Sequence, residues 1–267
     1  MPSLRKNDVA LFYREAPGGS PDIVLVHGWC CDHTYLDPQF EHFAARGHRV
    51  IAPDLRGHGR SGMPEGHYSM PVFADDLAWM CGALKLTRPV FIGHSMGGVV
   101  VFDLAARYPD LASAIVMLDA AVALPSSARA GLLQFIEKMH GPDYRDVARN
   151  YVADAFFIPT DDAARKARII DGMVAAPRQV MLSMLEGLRD YHSKVVEGRP
   201  TAPSLYIAAN EPHPRSEIPP LRALIPHMHY GQTVGSGHFC QLEVPDQVNA
   251  MIDRFLAIAL ADNVTTA

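Results

Sequence analysis

The sequence predicts an α/β fold in which a mostly parallel central sheet is flanked by helices. Two observations support this prediction. Short apolar runs at residues 23–26 and 113–118 are typical of strands buried on both faces of a parallel sheet. Longer stretches between such runs, such as residues 71–84, keep a helical period. With 267 residues, 48% of them hydrophobic, the chain can bury one large core.

The first part of the chain alternates between strand and helix patterns. Residues 16–22 are rich in glycine and proline and are predicted to form a turn between two strands. The predicted strands lie at residues 9–15, 23–26, 48–52 and 89–92, and the predicted helices at residues 36–46, 71–84 and 99–106.

The pattern changes at about residue 120. Strand-like runs disappear, and helices are predicted at residues 128–139, 144–157, 162–174 and 178–191. Strands return at residues 204–209 and 229–234, and a helix at residues 248–260 follows them. We therefore predict an α/β core made of residues 1–119 and 201–267, with a helical insertion at residues 120–200.

A Gly-x-Ser-x-Gly sequence joins the strand at residues 89–92 to the next helix. This strand, turn and helix are the context of a nucleophile elbow, in which the serine Oγ projects at the end of the strand. The small neighbours Gly93 and Gly97 allow the strand and the helix to approach closely. Ser95 is therefore the candidate nucleophile, and the N–H of Met96 is a candidate donor to a developing oxyanion.

Further motifs make the chain similar to the α/β-hydrolase family. They are the elbow around Ser95, the His27-Gly28-Trp29 sequence, the loop at residues 54–61 and the Gly-Ser-Gly-His-Phe sequence at residues 235–239. The resemblance covers nearly the whole chain. It implies the α/β-hydrolase fold, with residues 120–200 as a helical cap over the active site. It also implies that the backbone N–H of Trp29 is the second oxyanion donor.

A serine needs a base that is itself oriented by an acid. His238 is the candidate base, because it follows the last predicted strand in a glycine-rich loop and comes after the serine and the acid in chain order. Much of the family carries the acid after the strand that corresponds to residues 204–209, where this chain offers Glu211. Asp119, at the end of the preceding strand, matches the other known position. We favour Asp119, because it requires no shift in loop register.

These residues favour a serine hydrolase that cleaves a small carboxylic ester, thioester or lactone through an acyl-enzyme. Two alternatives stay open. One is a carbon–carbon bond hydrolase or a cofactor-independent dioxygenase, since residues 27–33 and Asp119 are similar to ring-cleaving dioxygenases of this fold. The other is a non-catalytic ligand receptor. Because the elbow carries Ser95 and not an aspartate, dehalogenase and epoxide hydrolase reactions are disfavoured.

The composition limits the classes of partner that are expected to bind. The net charge is −5, and no basic patch with interleaved aromatic residues occurs, so nucleic acid is not expected to bind. The first residues lack the features of a signal peptide, and no apolar run has the length of a membrane span. We expect a cytoplasmic protein whose partner is a small-molecule substrate, and a homodimer is the assembly considered.

No cofactor and no metal are expected. His227 and His229 could chelate a metal, but no third ligand lies near them in the sequence. The four cysteines, at positions 30, 31, 81 and 240, match neither a zinc site nor a disulfide framework, so we expect reduced thiols.

Overall fold

The computed structural model describes residues 2–193 and 198–261. Within these ranges, eight strands form one sheet in the order β1-β2-β4-β3-β5-β6-β7-β8. The pairs β1–β2 and β2–β4 are antiparallel, and all other pairs are parallel. Residues 1, 194–197 and 262–267, which belong to the ranges predicted for the core and the cap, lie outside the described residues.

Most strand bounds lie within two residues of the predictions, but one strand was not predicted and another begins at Gly19 instead of residue 23. The strands are β1 (Ser3–Lys6), β2 (Val9–Ala16), β3 (Gly19–Val26), β4 (His48–Pro53), β5 (Val90–His94), β6 (Ala114–Leu118), β7 (Ser204–Ala208) and β8 (His229–Gln232). Every residue of β5, β6 and β7 is buried, which is why these segments appear in the sequence as nearly uninterrupted apolar runs.

Helices connect the strands. The α-helices are α1 (Asp37–Ala45), α2 (Met70–Leu84), α3 (Met96–Arg107), α4 (Ser126–Met139), α5 (Tyr144–Ala155), α6 (Ala163–Val174), α7 (Arg178–Ser193), α8 (Ile218–Leu224), α9 (Cys240–Glu243) and α10 (Pro245–Ala259). None of the helices in the described ranges combines the length and the apolar character that crossing a bilayer requires.

The predicted turn at residues 16–22 is wrong in its second half. β3 begins at Gly19, which pairs with His48 of β4, and the register of this pair shifts before Ile23. The N–H of Gly19 also donates to the carbonyl of Gly47 at 2.7 Å. Glycine and proline therefore mark an irregular strand start at this position rather than a complete break.

The core lies on both faces of the sheet. Side chains of α1 and α10, such as Phe43 and Ile252, pack with one set of strand residues. Side chains of α2 and α3, such as Phe73 and Phe102, pack on the other face in a cluster that continues into the helices α4 to α7. One hydrophobic cluster thus joins the sheet to the helices that stand between β6 and β7.

Candidate active site

Ser95 lies in the sharp turn between β5 and α3. Its φ is 54° and its ψ is −120°, a conformation that non-glycine residues rarely adopt. The turn requires close approach of the backbone, since a Cβ on Gly93 would lie 2.3 Å from the carbonyl oxygen of Gly97. The N–H of Ser95 donates to the carbonyl of Leu118 at 2.9 Å, which ties the turn to the end of β6.

Ser95, His238 and Asp119 form a continuous hydrogen-bonded chain. Ser95 Oγ is 2.9 Å from Nε2 of His238, and Nδ1 of His238 is 2.6 Å from Oδ2 of Asp119. The Asp119 side chain lies at the end of β6, and its Oδ1 accepts the N–H of Ala209 at 3.0 Å. A carboxylate at Nδ1 keeps the proton on that nitrogen, so Nε2 is free to accept the hydroxyl proton of Ser95.

Burial and charge set the protonation states of His238 and Asp119. Burial lowers the pKa of His238 below its ordinary value, although the hydrogen bond to Asp119 opposes this shift. Burial alone would raise the pKa of Asp119, but the hydrogen bond and charge of His238, together with Arg215, hold it below its ordinary value. At neutral pH the pair is a neutral imidazole beside a carboxylate, which are the states that a general base and its orienting acid require.

Glu211 lies close to the same histidine but contacts a different partner. The ligand atoms of Asp119, Glu211 and His238 all lie within 4.8 Å of one another. Glu211 Oε1 is 2.8 Å from Nε of Arg215, whereas the same Nε is 3.9 Å from Asp119 Oδ2. Burial raises the pKa of Glu211 to about 8, although the charge of Arg215 opposes the rise, and the charge of Asp119 adds to it.

Trp29 and Met96 flank the serine on two sides. Met96 is the first residue of α3, so helix geometry leaves its N–H without an intrahelical partner. The backbone before Trp29 passes against the serine, since a Cβ on Gly28 would lie 3.1 Å from Ser95 Cβ. The indole Nε1–H of Trp29 donates to the carbonyl of Met181 in α7 at 3.1 Å, which fixes the ring against the helical insertion.

The loop that carries His238 is held from both sides. His94 lies in the core, where burial and the nearby His238 lower its pKa to about 3, so its neutral ring donates from Nε2 to the carbonyl of His238 at 2.9 Å. On the other side, the N–H of His238 donates to the carbonyl of Phe156 at 2.9 Å. The N–H of Gly237 donates to Oδ1 of Asp161, also at 2.9 Å.

An apolar cavity of about 230 Å³ opens above the serine. Its walls come from the core and from the helices α4, α5 and α7. The lining residues are Trp29, Ser95, Met96, Ala121, Leu124, Ala128, Gly131, Leu132, Tyr151, Ala155, Phe156, Leu185, Leu188, His213, Arg215 and His238. We refer to this cavity as the apolar pocket.

In the part of the chain that the structure describes, the members of the two clusters that could hold a metal already make hydrogen bonds. A second acidic group, formed by Asp32, His33 and Asp54, has ligand atoms within 4.8 Å of one another. Asp54 accepts from both the backbone N–H and Nδ1 of His33, each at 2.8 Å. His227, considered above as a ligand, contacts the carbonyl of Ala202 through Nε2 at 3.0 Å.

The cysteines are buried and free, as expected from their spacing. Burial raises the pKa of the Cys30, Cys31, Cys81 and Cys240 thiols. These cysteines are therefore packing residues that stay protonated at neutral pH.

Sequence reasoning brought the serine, the histidine and both candidate acids to one site, but it missed Arg215 and Tyr151. Arg215 follows Glu211 by four residues in the loop after β7. A charged residue so close to a strand end is a usable signal, because α/β folds place their sites at the carboxyl ends of strands. Tyr151 carries no such signal, since an aromatic residue in a helix is usually a core residue.

Comparisons with known proteins support the same fold. A family model described as alpha/beta hydrolase fold matches residues 21–245. A bifunctional esterase/perhydrolase from Acinetobacter calcoaceticus is 38% identical over 118 residues, which are 44% of this chain and 43% of that protein. The enol-lactonase structure from Burkholderia xenovorans LB400 has a TM-score of 0.82 at 23% identity and covers 96% of this chain and 99% of its own. A thermophilic esterase from Thermogutta terrifontis has a TM-score of 0.82 at 23% identity, covering 94% of each chain.

These matches differ in what they establish. The chain spans 36 to 54% of the length of three curated relatives that it matches. The structural matches cover nearly the full chain, but at their level of identity they show the fold alone. Because the family model matches well over half of the sequence, the chain belongs to the alpha/beta hydrolase fold family.

Proposed function

We propose that the protein is a serine hydrolase that cleaves a small carboxylic ester, thioester or lactone through an acyl-enzyme. One observation carries the proposal. Ser95 Oγ lies 2.9 Å from His238 Nε2, and His238 Nδ1 lies 2.6 Å from Asp119, at the floor of the apolar pocket. A nucleophile, a base and an orienting carboxylate in hydrogen-bond contact are the geometry that activates a serine.

In the first half of the reaction, Ser95 Oγ attacks the carbonyl carbon of the substrate. His238 Nε2 takes the hydroxyl proton, and Asp119 stabilises the imidazolium that forms. The negative charge that develops on the carbonyl oxygen is stabilised by hydrogen bonds donated by the backbone N–H groups of Met96 and Trp29. His238 then returns the proton to the leaving alcohol or thiol, and the acyl group remains on Ser95.

In the second half, a water molecule gives a proton to His238 Nε2 and attacks the acyl carbon. The bond to Ser95 Oγ breaks, the proton returns to Oγ, and the carboxylic acid leaves. The apolar walls of the pocket favour an uncharged group next to the scissile carbonyl. The names of similar proteins, among them an esterase and an enol-lactonase, support this class of substrate.

Asp119, rather than Glu211, is the proposed orienting acid. Asp119 accepts the Nδ1 proton of His238, and its pKa is held low, so it is charged when the imidazolium forms. Glu211 contacts Arg215, and its raised pKa leaves it mostly protonated at neutral pH. A neutral acid beside Arg215 cannot supply the charge that the reaction needs at His238.

Labelling with a fluorophosphonate tests the proposal. One label per chain is expected, on Ser95, together with hydrolysis of acetate esters. Ser95→Ala should remove the label and lower turnover on the order of ten-thousand-fold or more. Ser3→Ala is the matched control, because this exposed serine of β1 lies far along the chain from the elbow, and it should keep both label and activity.

A different result would favour the alternative chemistry. If Ser95→Ala keeps most of its turnover on a substrate that His238→Ala fails to convert, the histidine acts as a base without an acyl-enzyme. Loss of the label without loss of that turnover would rule out the serine hydrolase mechanism.

A further inference from the structure

A second cavity adjoins the apolar pocket on the helical insertion. It is a groove of about 500 Å³ between α4 and α5, referred to below as the α4–α5 groove. The residues that line both the groove and the apolar pocket are Gly131, Tyr151, Ala155 and His213. The two cavities therefore share part of their walls at this small group of residues.

Gly131 is exposed and leaves open space in the wall that the two cavities share. It stands in the interior of α4, and a Cβ added to it would meet no heavy atom within 4 Å. Gly187 of α7 provides a contrast, because a Cβ there would lie 2.3 Å from the carbonyl oxygen of Tyr68. Helix packing thus requires a glycine at position 187 but not at position 131. What sets position 131 apart from other open helical glycines is that it lies in the wall shared by the two cavities.

The two cavities differ in size and polarity. At about 230 Å³, the apolar pocket lies below the range of roughly 300–1,000 Å³ typical of ligand sites, whereas the groove alone lies within it. The groove carries the amides of Gln134 and Asn150, and the opposite charges of Lys138 and Asp154. These groups favour an uncharged or zwitterionic partner that both donates and accepts hydrogen bonds.

We propose that the α4–α5 groove binds the distal part of the substrate, and that Gly131 forms the opening through which the substrate reaches it from the apolar pocket. This inference rests on the proposed hydrolase function and narrows its substrate class. The substrate is an ester, thioester or lactone with an apolar segment next to the scissile carbonyl and a polar, hydrogen-bonding group beyond that segment.

Closing the opening with a larger side chain tests the inference. Two ester series are used, p-nitrophenyl esters from acetyl to decanoyl and acetate esters of linear alcohols of the same lengths, because either end of the substrate could enter the groove. Gly131→Leu should lower the ratio of kcat/KM for the longest ester to that for the shortest at least tenfold in one of the series. Gly82→Leu is the matched control, since Gly82 is also a helical glycine with no atom within 4 Å of an added Cβ, on α2. It should leave the ratio unchanged.

The polarity of the groove is tested with a second pair of substrates. Wild-type protein should prefer a long ester that ends in an amide over an alkyl ester of equal length. Replacing the exposed groove residues Gln134 and Asn150 by leucine should lower the ratio of the two kcat/KM values at least fivefold. An unchanged preference in that double variant would show that the groove does not contact the distal group.

The outcomes separate this inference from the proposed function. Absence of both fluorophosphonate labelling and ester turnover in the wild-type protein would overturn both. Normal labelling with no length-dependent loss in Gly131→Leu, or with the same loss in Gly82→Leu, would overturn the groove assignment alone. Each variant is compared only after its melting curve shows a cooperative fold.

Discussion

At the scale of single residues, Ser95 and Asp119 share an unusual backbone conformation. Both have a positive φ, 54° and 45°, and each directly follows a buried strand. The N–H of Asp119 donates to the carbonyl of Ile207 at 2.8 Å, just as the N–H of Ser95 donates to Leu118. Conformations of this kind persist only where the surroundings hold them, and here the neighbouring strand does so. Both side chains therefore project at the same edge of the sheet.

The choice between the two carboxylates is tested by isosteric amides. Asp119→Asn should lower kcat for an acetate ester on the order of ten-thousand-fold, because an amide can stabilise neither the tautomer nor the imidazolium of His238. Glu211→Gln should lower kcat less than about tenfold, the effect of losing a contact worth roughly one kcal/mol. Both variants are first checked for native circular dichroism, since Asp119 also accepts the N–H of Ala209. The reverse ranking would make Glu211 the acid.

Sequence alone could bring these carboxylates near His238 but could not choose between them on physical grounds. Each follows a strand whose carboxyl end meets the others at one edge. What distinguishes them is a contact made through the fold, the 2.8 Å approach of Glu211 Oε1 to Nε of Arg215. The direction in which a loop carboxylate points depends on such contacts, which spacing does not encode.

At the scale of elements, the strands and helices with strong periodicity were predicted with bounds close to those of the structure. β1 and α8 were not. β1 (Ser3–Lys6) is short, half exposed and polar, and it gains its stability by pairing with β2 after Asn7, whose φ is positive. α8 begins with Pro219 and Pro220 in its first turn, where proline is tolerated although it usually indicates a loop.

The helical glycines give a prediction about stability. Alanine at Gly131 or Gly82 should raise the free energy of unfolding by about 0.5–1 kcal/mol, because the methyl group meets open space and the unfolded chain loses freedom. Alanine at Gly187 should lower it by roughly 1–3 kcal/mol, because the Cβ would overlap the Tyr68 carbonyl. Urea unfolding of the three variants measures these changes. Equal effects at the three sites would contradict the distinction drawn between open and packed glycines.

At the scale of the whole molecule, buried titratable groups make stability depend on pH. The raised pKa of Glu211, about 8 against an ordinary value of 4.5, means that between these pH values the folded state keeps a proton that the unfolded state has lost. The stability that this group contributes is therefore complete below pH 4.5 and falls as the pH rises towards 8. Buried histidines such as His58 and His94, with pKa values lowered to about 3, give an opposite trend up to pH 6.5.

Comparison of the wild-type protein with Glu211→Gln isolates the first effect, because the histidine contributions cancel. Glutamine cannot ionise, so the free energy of unfolding of the variant, relative to that of the wild type, should increase from pH 5 to pH 8. Urea unfolding at these two pH values measures the difference. A constant difference would mean that the pKa of Glu211 is close to its ordinary value, with Arg215 dominating over burial.

The attachment of the His238 loop to the segment between α5 and α6 has a consequence for how the molecule opens. Phe156 and Asp161 hold the backbone of His238 and Gly237, so lifting that segment away from the sheet must break two hydrogen bonds to the loop that bears the proposed base. While that segment is lifted, the loop that carries His238 loses its contacts with the helical insertion. Entry of substrate by such a movement would therefore compete with proton transfer at His238, and deleting the insertion would remove these two hydrogen bonds and leave the His238 loop its contacts with His94 and Asp119.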